Sequence, residues 1–284
     1  MTINQSTQTH SKFRPNKRFG QHWLRSETAL EQIVAAAQLT SSDRVLEIGP
    51  GTGILTRRLL PEVESLVAVE IDRNLCQKLA KTLGKQDNFL LLQGDFLKLN
   101  LTELLQPFPR FQQPNKVVAN IPYNITGPIL EKLLGKISQP ATTAYQSIVL
   151  LVQQEVGERL TASPGTKAYG ALSLRVQYLA NCELIYHIPA KAFSPPPKVD
   201  SVVVRLYPRT ISEPADNPRL LDSLIKLGFA SRRKMLRNNL SSVITSDNLT
   251  QLLEQLNLNS QSRAENLSLE DWIKLSNLIG SHSI

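Results

Sequence analysis

The sequence has little cysteine, little histidine, few aromatics and no long apolar run. Its 2 Cys among 284 residues, Cys76 and Cys182, exclude a disulfide-stapled scaffold. Lying far apart within apolar patterns, they read as buried free thiols of a reducing compartment. The 4 His are scattered and the Cys show no ligand spacing, so no metal site is expected. No apolar stretch approaches the ~18 residues that a bilayer span requires. Residues 1–18 lack the apolar core of a secretory signal. These absences lead to the expectation of a cytoplasmic chain with no membrane partner. No pattern of nucleophile, His and carboxylate suggests covalent catalysis.

What is present bounds the rest. A hydrophobic fraction of 41% is too high for a disordered chain and sufficient for a real core. Against 24 Asp+Glu stand 32 Lys+Arg, a net charge of +8, which favours a polyanionic partner. Short apolar segments at 45–48, 66–69, 89–92, 116–119 and 147–152 read as strands. Helical patterns at 27–38, 54–60, 74–83 and 128–134 alternate with them. This alternation predicts right-handed crossovers and a mainly parallel sheet. Two later strands are expected at 183–187 and 202–206. A polar linker with three prolines follows at 208–218, and beyond it only helical patterns remain, at 220–229, 249–256 and 271–279. The boundary falls near Tyr207, dividing an α/β unit, 1–207, from a small all-helical one, 208–284.

Three strand ends carry the chemistry. Glu47-Ile48-Gly49-Pro50-Gly51-Thr52-Gly53 joins a strand to a helix, and its glycines permit a sharp turn and close approach to a ligand. Gly49 and Gly51 are therefore candidate cofactor contacts. Glu70 ends the second strand, where a carboxylate can accept both ribose hydroxyls of an adenosyl group. Asp95 ends the third, where it can accept from an adenine amine or serve only as a turn residue. No Walker-type Lys-Ser/Thr follows the loop, which argues against an ATPase. A nicotinamide enzyme shares the loop and Glu70 but does not account for the fourth strand end.

That end reads Asn120-Ile121-Pro122-Tyr123. An exocyclic adenine amine is a poor nucleophile because its lone pair is delocalised into the ring. The Asn120 side-chain oxygen and a backbone carbonyl at Ile121 or Pro122 can take its two hydrogens and favour a tetrahedral nitrogen. Pro122 stiffens the loop, and Tyr123 offers a stacking face worth roughly 1–3 kcal/mol. Phe193-Ser194-Pro195-Pro196-Pro197-Lys198-Val199-Asp200-Ser201 is an extended loop that can bring Phe193 to the other face of a base. Asn120, Pro122, Tyr123 and Phe193 are thus the candidate catalytic residues. Two basic clusters add to the picture: Lys12, Arg14, Lys17, Arg18 and Arg25, and, with Lys226, the group Arg232, Arg233, Lys234 and Arg237. On a helix, Arg233 and Arg237 would share one side. Beside an adenine site, phosphate binding accounts for them better than a solvated face.

In their order these motifs resemble the ribosomal RNA adenine dimethyltransferases, the KsgA/RsmA family, related to the erythromycin-resistance methyltransferases. The resemblance rests on Phe19-Gly20-Gln21-His22-Trp23-Leu24, the loop from Glu47 to Gly53, Glu70, Asp95 and Asn120 to Tyr123. It continues through Gln154-Glu155-Val156, Lys167-Ala168-Tyr169-Gly170, Phe193 to Ser201 and Arg232-Arg233-Lys234, covering most of the chain. It implies a Rossmann-like, S-adenosylmethionine-dependent methyltransferase domain with a helical C-terminal domain. It also implies dimethylation of two adjacent adenosines near the 3′ end of 16S rRNA in the small subunit, by a monomer. The cofactor would touch His22, Leu24, Gly49, Glu70, Asp95 and Asn120. The family usually carries Asn-Phe where this chain has His22-Trp23, and a histidine can still donate a hydrogen bond there. A relative acting on large-subunit rRNA or DNA, and an assembly factor that binds RNA without catalysis, remain alternatives at this point.

Overall fold

The computed structural model describes residues 21–142 and 145–282. Lys12, Arg14, Lys17, Arg18 and the Phe19-Gly20 pair lie outside the described residues. In chain order, β1 (Trp23–Leu24) and α1 (Glu27–Ala37) precede β2 (Arg44–Ile48) and α2 (Thr56–Leu59). Then come β3 (Ser65–Glu70), α3 (Arg73–Leu83), β4 (Phe89–Gln93), α4 (Leu101–Leu104), β5 (Lys116–Asn120) and α5 (Thr126–Leu134). A small hairpin, β6 (Gly135–Lys136) and β7 (Gln139–Pro140), leads to β8 (Ser147–Gln153), α6 (Gln154–Leu160) and α7 (Ala171–Leu179). Next are β9 (Ala180–Ile188), β10 (Phe193–Ser194) and β11 (Ser201–Pro208). The chain continues with α8 (Pro218–Gly228), α9 (Leu236–Asn239), α10 (Ser246–Gln255) and α11 (Leu269–His282).

All seven segments read as strands join one sheet, in the order β4-β3-β2-β5-β8-β11-β9. β4, β3, β2, β5 and β8 run parallel, and β11 runs antiparallel to both β8 and β9. Covered on both faces, β3 and β8 are buried almost end to end, which explains their unbroken apolar runs. The chain leaves β2 toward β3 on one side and returns to β5 on the other. That reversal opens a crevice beyond the carboxyl ends of β2 and β5. Glu70 and Asn120 close their strands at this edge.

At the opposite edge Asp43, just before β2, is held in a polar knot. Its carboxylate pairs with Lys116 Nζ at 2.9 Å and accepts from Asn115 Nδ2 at 2.7 Å and Thr40 N at 2.7 Å. Lys116 also donates to the carbonyls of Gln38 (2.6 Å) and Ala37 (3.2 Å), at the C-terminus of α1. Burial alone would raise the pKa of Asp43, yet these partners hold it below the ordinary carboxylate value.

Two apolar clusters sandwich the sheet. One lies under α1 and includes Leu30, Ile33, Val45, Val149 and Val203. The other runs from Val117 and Val204 through α7 into the C-terminal helices, reaching Leu224 and the fully buried Trp272. The expected helix at 54–60 is shortened to one α-turn followed by a 3₁₀ turn, Leu60–Glu62. Pro61 lacks the N–H that would continue the α ladder. α6 and α7 leave no clear helical pattern in the sequence. α6 carries Gly157, where a Cβ would stand 2.2 Å from Val202 Cγ2, so the glycine that weakens the helical signal is what lets the helix lie on β11. α7 is packed from several sides and lacks a clean polar stripe. Among the described residues, no helix is long and apolar enough to cross a membrane.

Candidate active site

The glycine loop wraps a carboxylate. Gly49, Gly51 and Gly53 take φ of +69, +59 and +78°, the left-handed region that side chains disfavour. This path points the Gly51 N–H at Glu70 Oε2, 3.0 Å away, while Glu70 Oε1 accepts from Asp72 N at 2.9 Å. Each oxygen keeps a further lone pair for a ligand hydroxyl. Glu70 is 4% exposed, and burial raises its pKa despite the two backbone bonds. Arg57 braces the loop from α2, donating to the carbonyls of Thr52 and Gly53.

One cavity at the sheet's carboxyl edge brings together nearly all of the expected residues. His22, Leu24, Gly49, Gly51, Glu70, Asp95, Asn120, Pro122 and Tyr123 line it. Asp95 plays the turn role as well, accepting from Leu97 N at 3.0 Å while still facing the cavity. The Asn120 side chain has no hydrogen-bond partner among the described residues, so its amide is uncommitted. Tyr123 is steadied through its hydroxyl, 2.6 Å from Ser201 Oγ. Its ring lies nearly parallel to that of His22, 14° between planes and 5.9 Å between centroids.

Two expectations require correction. Phe193 is 3% exposed and belongs to the apolar cluster under α1, so its ring is not presented to the cavity. It pairs instead with Leu24: β1 and β10 form an antiparallel ribbon with Trp23 opposite Ser194 and Leu24 opposite Phe193. The apolar character that recommended Phe193 as a stacking face serves packing. His22 also differs from expectation. Its Nδ1 lies 2.8 Å from the Pro195 carbonyl, which can only accept, so Nδ1 carries the proton.

Three residues that line the cavity have no distinct role legible in the sequence. Glu47 is 1% exposed, its Oε2 has no hydrogen-bond partner, and burial pushes its pKa up to about 8, Thr56 opposing and Glu70 adding to the rise. Trp23 Nε1 is likewise buried without a partner, and the indole lies over the loop, 3.8 Å from where a Gly51 Cβ would be. Ile71 is 45% exposed on the rim beside Glu70. Glu47 stands inside the quoted motif, and only its register within a buried strand separates it from a solvated acid.

The C-terminal basic cluster is not a single helical face. Arg232, Arg233 and Lys234 lie in a turn ahead of α9, so Arg233 and Arg237 do not share a helix. Arg232 has its own anion: Nη2 is 2.6 Å from Glu265 Oε2, and Nη1 donates to the Lys167 carbonyl at 2.8 Å. Arg233 and Lys234 are exposed and, with the half-buried Arg237, make no side-chain ion pair among the described residues.

A buried acceptor for ribose, an uncommitted amide at the fourth strand end and a carboxylate with one unpartnered oxygen behind the loop fit an adenosyl-sulfonium ligand and an amine substrate. Comparison with known proteins agrees. The family model described as ribosomal RNA adenine dimethylase matches residues 12–281. The ribosomal RNA small subunit methyltransferase A of Nostoc sp. is 66% identical over 267 residues, covering 94% of this chain and 98% of the relative. The protein of the same name from Rippkaea orientalis is 66% identical over 265 residues, covering 93% and 97%. Among solved structures, a dimethyladenosine transferase from Plasmodium falciparum superposes with a TM-score of 0.74 at 28% identity, covering 93% of this chain and 99% of that one. The 23S rRNA methyltransferase ErmE gives 0.69 at 25%, covering 91% and 99%. A match over nearly the whole chain means that this protein belongs to the ribosomal RNA adenine dimethylase family.

Proposed function

We infer that the chain is an S-adenosylmethionine-dependent methyltransferase that dimethylates N6 of two adjacent adenosines near the 3′ end of 16S rRNA in the small ribosomal subunit. It is read as a cytoplasmic protein that acts as a monomer. The observation that carries this reading is the single cavity shared by Glu70 in its glycine loop and by Asn120-Ile121-Pro122-Tyr123. The large-subunit alternative rests on the likeness to ErmE alone, whereas the small-subunit reading rests on relatives of far higher identity.

S-Adenosylmethionine, when bound, supplies an electrophilic methyl group on a sulfonium. Glu70 holds the ribose hydroxyls, Asp95 the adenine amine, and Ile71 and Leu24 the apolar faces. Glu47, which burial keeps protonated in the ligand-free site, would release its proton beside the cationic part of the ligand and become its buried counter-charge. Asn120 Oδ1 accepts one hydrogen of the target amine, and a carbonyl of the adjoining loop accepts the other, aiming the nitrogen lone pair at the methyl. Tyr123, fixed by Ser201, supports the base. Placing the two reactants in line can contribute about 7–11 kcal/mol. No strong base is needed, because the alkylated nitrogen loses its proton readily. The helical unit, 208–284, docks the substrate. Arg233, Lys234 and Arg237 supply phosphate contacts there, and Arg232 anchors their turn through Glu265.

Incubation with unmodified small subunits, large subunits and naked RNA, followed by mapping of the modified bases, tests the assignment. Dimethyladenosine confined to two neighbouring positions of small-subunit rRNA is expected. Modification of large subunits alone would overturn it.

A further inference from the structure

A second concave surface lies behind the wall of the cavity, and no residue of the proposed chemistry uses it. The β1–β10 ribbon continues through Arg25 N, which donates to the Ala192 carbonyl at 2.8 Å. On one side of this ribbon lie the cavity residues His22, Trp23 and Leu24. On the other a groove is lined by Arg25 and Thr28 at the start of α1, by Lys191, and by Tyr186 on the edge strand β9. No carboxylate lines it. Arg25 and Lys191 are exposed and make no side-chain ion pair or hydrogen bond among the described residues. Of the acids nearby, Glu27 is paired with Arg58, and Asp200 accepts from Ala190 N at 2.8 Å.

Tyr186 reaches the groove because β9 is irregular there. Val203 of β11 faces Tyr186 and Val204 faces Leu184, leaving Ile185 as an extra residue. In a regular strand Leu184 and Tyr186 would share a face. Here Leu184 packs on the cluster beneath α7, whereas Ile185 and Tyr186 both pack on the α1 side. Such bulges re-aim side chains, often next to active sites.

We propose that this groove binds the single-stranded RNA flanking the target adenosines, with Tyr186 as a stacking face for a base and Arg25 and Lys191 on phosphates. The proposal rests on the RNA-methylating activity inferred above and names where the strand lies. A base whose amine meets Asn120 must leave any duplex, which costs least where the strand around it is already unpaired. Unpaired bases stack on aromatic rings while cations follow the backbone, whereas an A-form duplex shows no free base face. Three residues of chain, at most roughly 10 Å, separate His22 in the cavity from Arg25 in the groove. A strand threading the site can therefore touch both.

The test uses the full chain, a fluorescent single-stranded oligoadenylate and an RNA hairpin, with anisotropy read across a salt series, and the KM for unmethylated small subunits. Arg25→Gln with Lys191→Gln should weaken oligoadenylate binding and lower its salt slope by about 0.7 per lost contact, about 1.4 in all. Tyr186→Leu keeps the packing but removes the ring, and should weaken binding roughly five- to a hundredfold, while Tyr186→Phe retains wild-type affinity. Hairpin affinity, S-adenosylmethionine affinity and melting temperature should not move. Folded Arg25→Gln/Lys191→Gln and Tyr186→Leu proteins that match the wild type in oligoadenylate affinity, salt slope and KM would overturn the groove. Its loss is distinguishable from failure of the activity: wild-type protein that binds oligoadenylate through these residues but methylates no subunit refutes the activity alone.

Discussion

The two ends of β2 hold buried carboxylates under opposite regimes. Asp43 and Glu47 are 4% and 1% exposed and stand only four residues apart. Asp43, at the amino end, has Lys116, Asn115 and Thr40 around it, and its pKa lies below the ordinary value. Glu47, at the carboxyl end, has an oxygen with no partner, and its pKa is raised to about 8. A satisfied buried charge belongs to architecture, and an unsatisfied one marks a place prepared for something else. Along one strand the protein divides into an end that holds it together and an end held ready for a ligand.

Lys116→Met attacks the first end. Removing one partner strands a buried charge, so urea denaturation should show a loss of about 3–5 kcal/mol. Adding Asp43→Asn should recover part of it. If the single variant is as stable as the wild type, Asp43 is not the structural pole of the comparison.

Glu47→Gln should act in the opposite direction. In the folded chain Glu47 keeps its proton up to about pH 8, against a reference value of 4.5. The folded state thus binds more protons than the unfolded one, and stability falls as pH rises through that window. Each unit of difference corresponds to about 1.4 kcal/mol. The ligand-free variant should therefore melt higher than the wild type at pH 8 and alike at pH 4. S-Adenosylmethionine should stabilise the wild type more than the variant. Equal melting curves across pH would erase the contrast between the two ends.

Asn120→Ala sharpens the comparison within the ligand end. Single-turnover methyl transfer should slow on the order of a hundredfold, judged from removal of one preorganised polar group elsewhere. RNA affinity should hold, because phosphate contacts dominate it. Glu70→Ala has the smallest expected effect, a weakening of S-adenosylmethionine binding by roughly 1.5–3 kcal/mol, the worth of a hydrogen bond to a charged group. Calorimetry on the folded variant checks it, and unchanged affinity would remove Glu70 from the ribose.

The sheet was legible because strands buried on both faces leave unbroken apolar runs, and glycine and acid punctuate their ends. The cavity was legible for the same reason, since Gly49, Glu70, Asp95 and Asn120 all stand just past such runs. Contacts between distant segments left no local trace. The pairing of Trp23 with Ser194, the burial of Phe193 and the Glu265 partner of Arg232 depend on which segments meet, not on their own composition. Glu47 was hidden because a buried acid and an exposed one look alike in sequence. The bulge that turns Tyr186 is a one-residue shift in register and has no compositional mark.

The ribbon that walls the cavity also sets a schedule. His22 meets Pro195 across 173 positions, and β1 finds β10 only after most of the chain exists. During synthesis from the amino terminus, the glycine loop, Glu70 and Asn120 are all made before the strand that closes the wall. The cavity therefore stays open on one side until the ribosome has translated past Pro195.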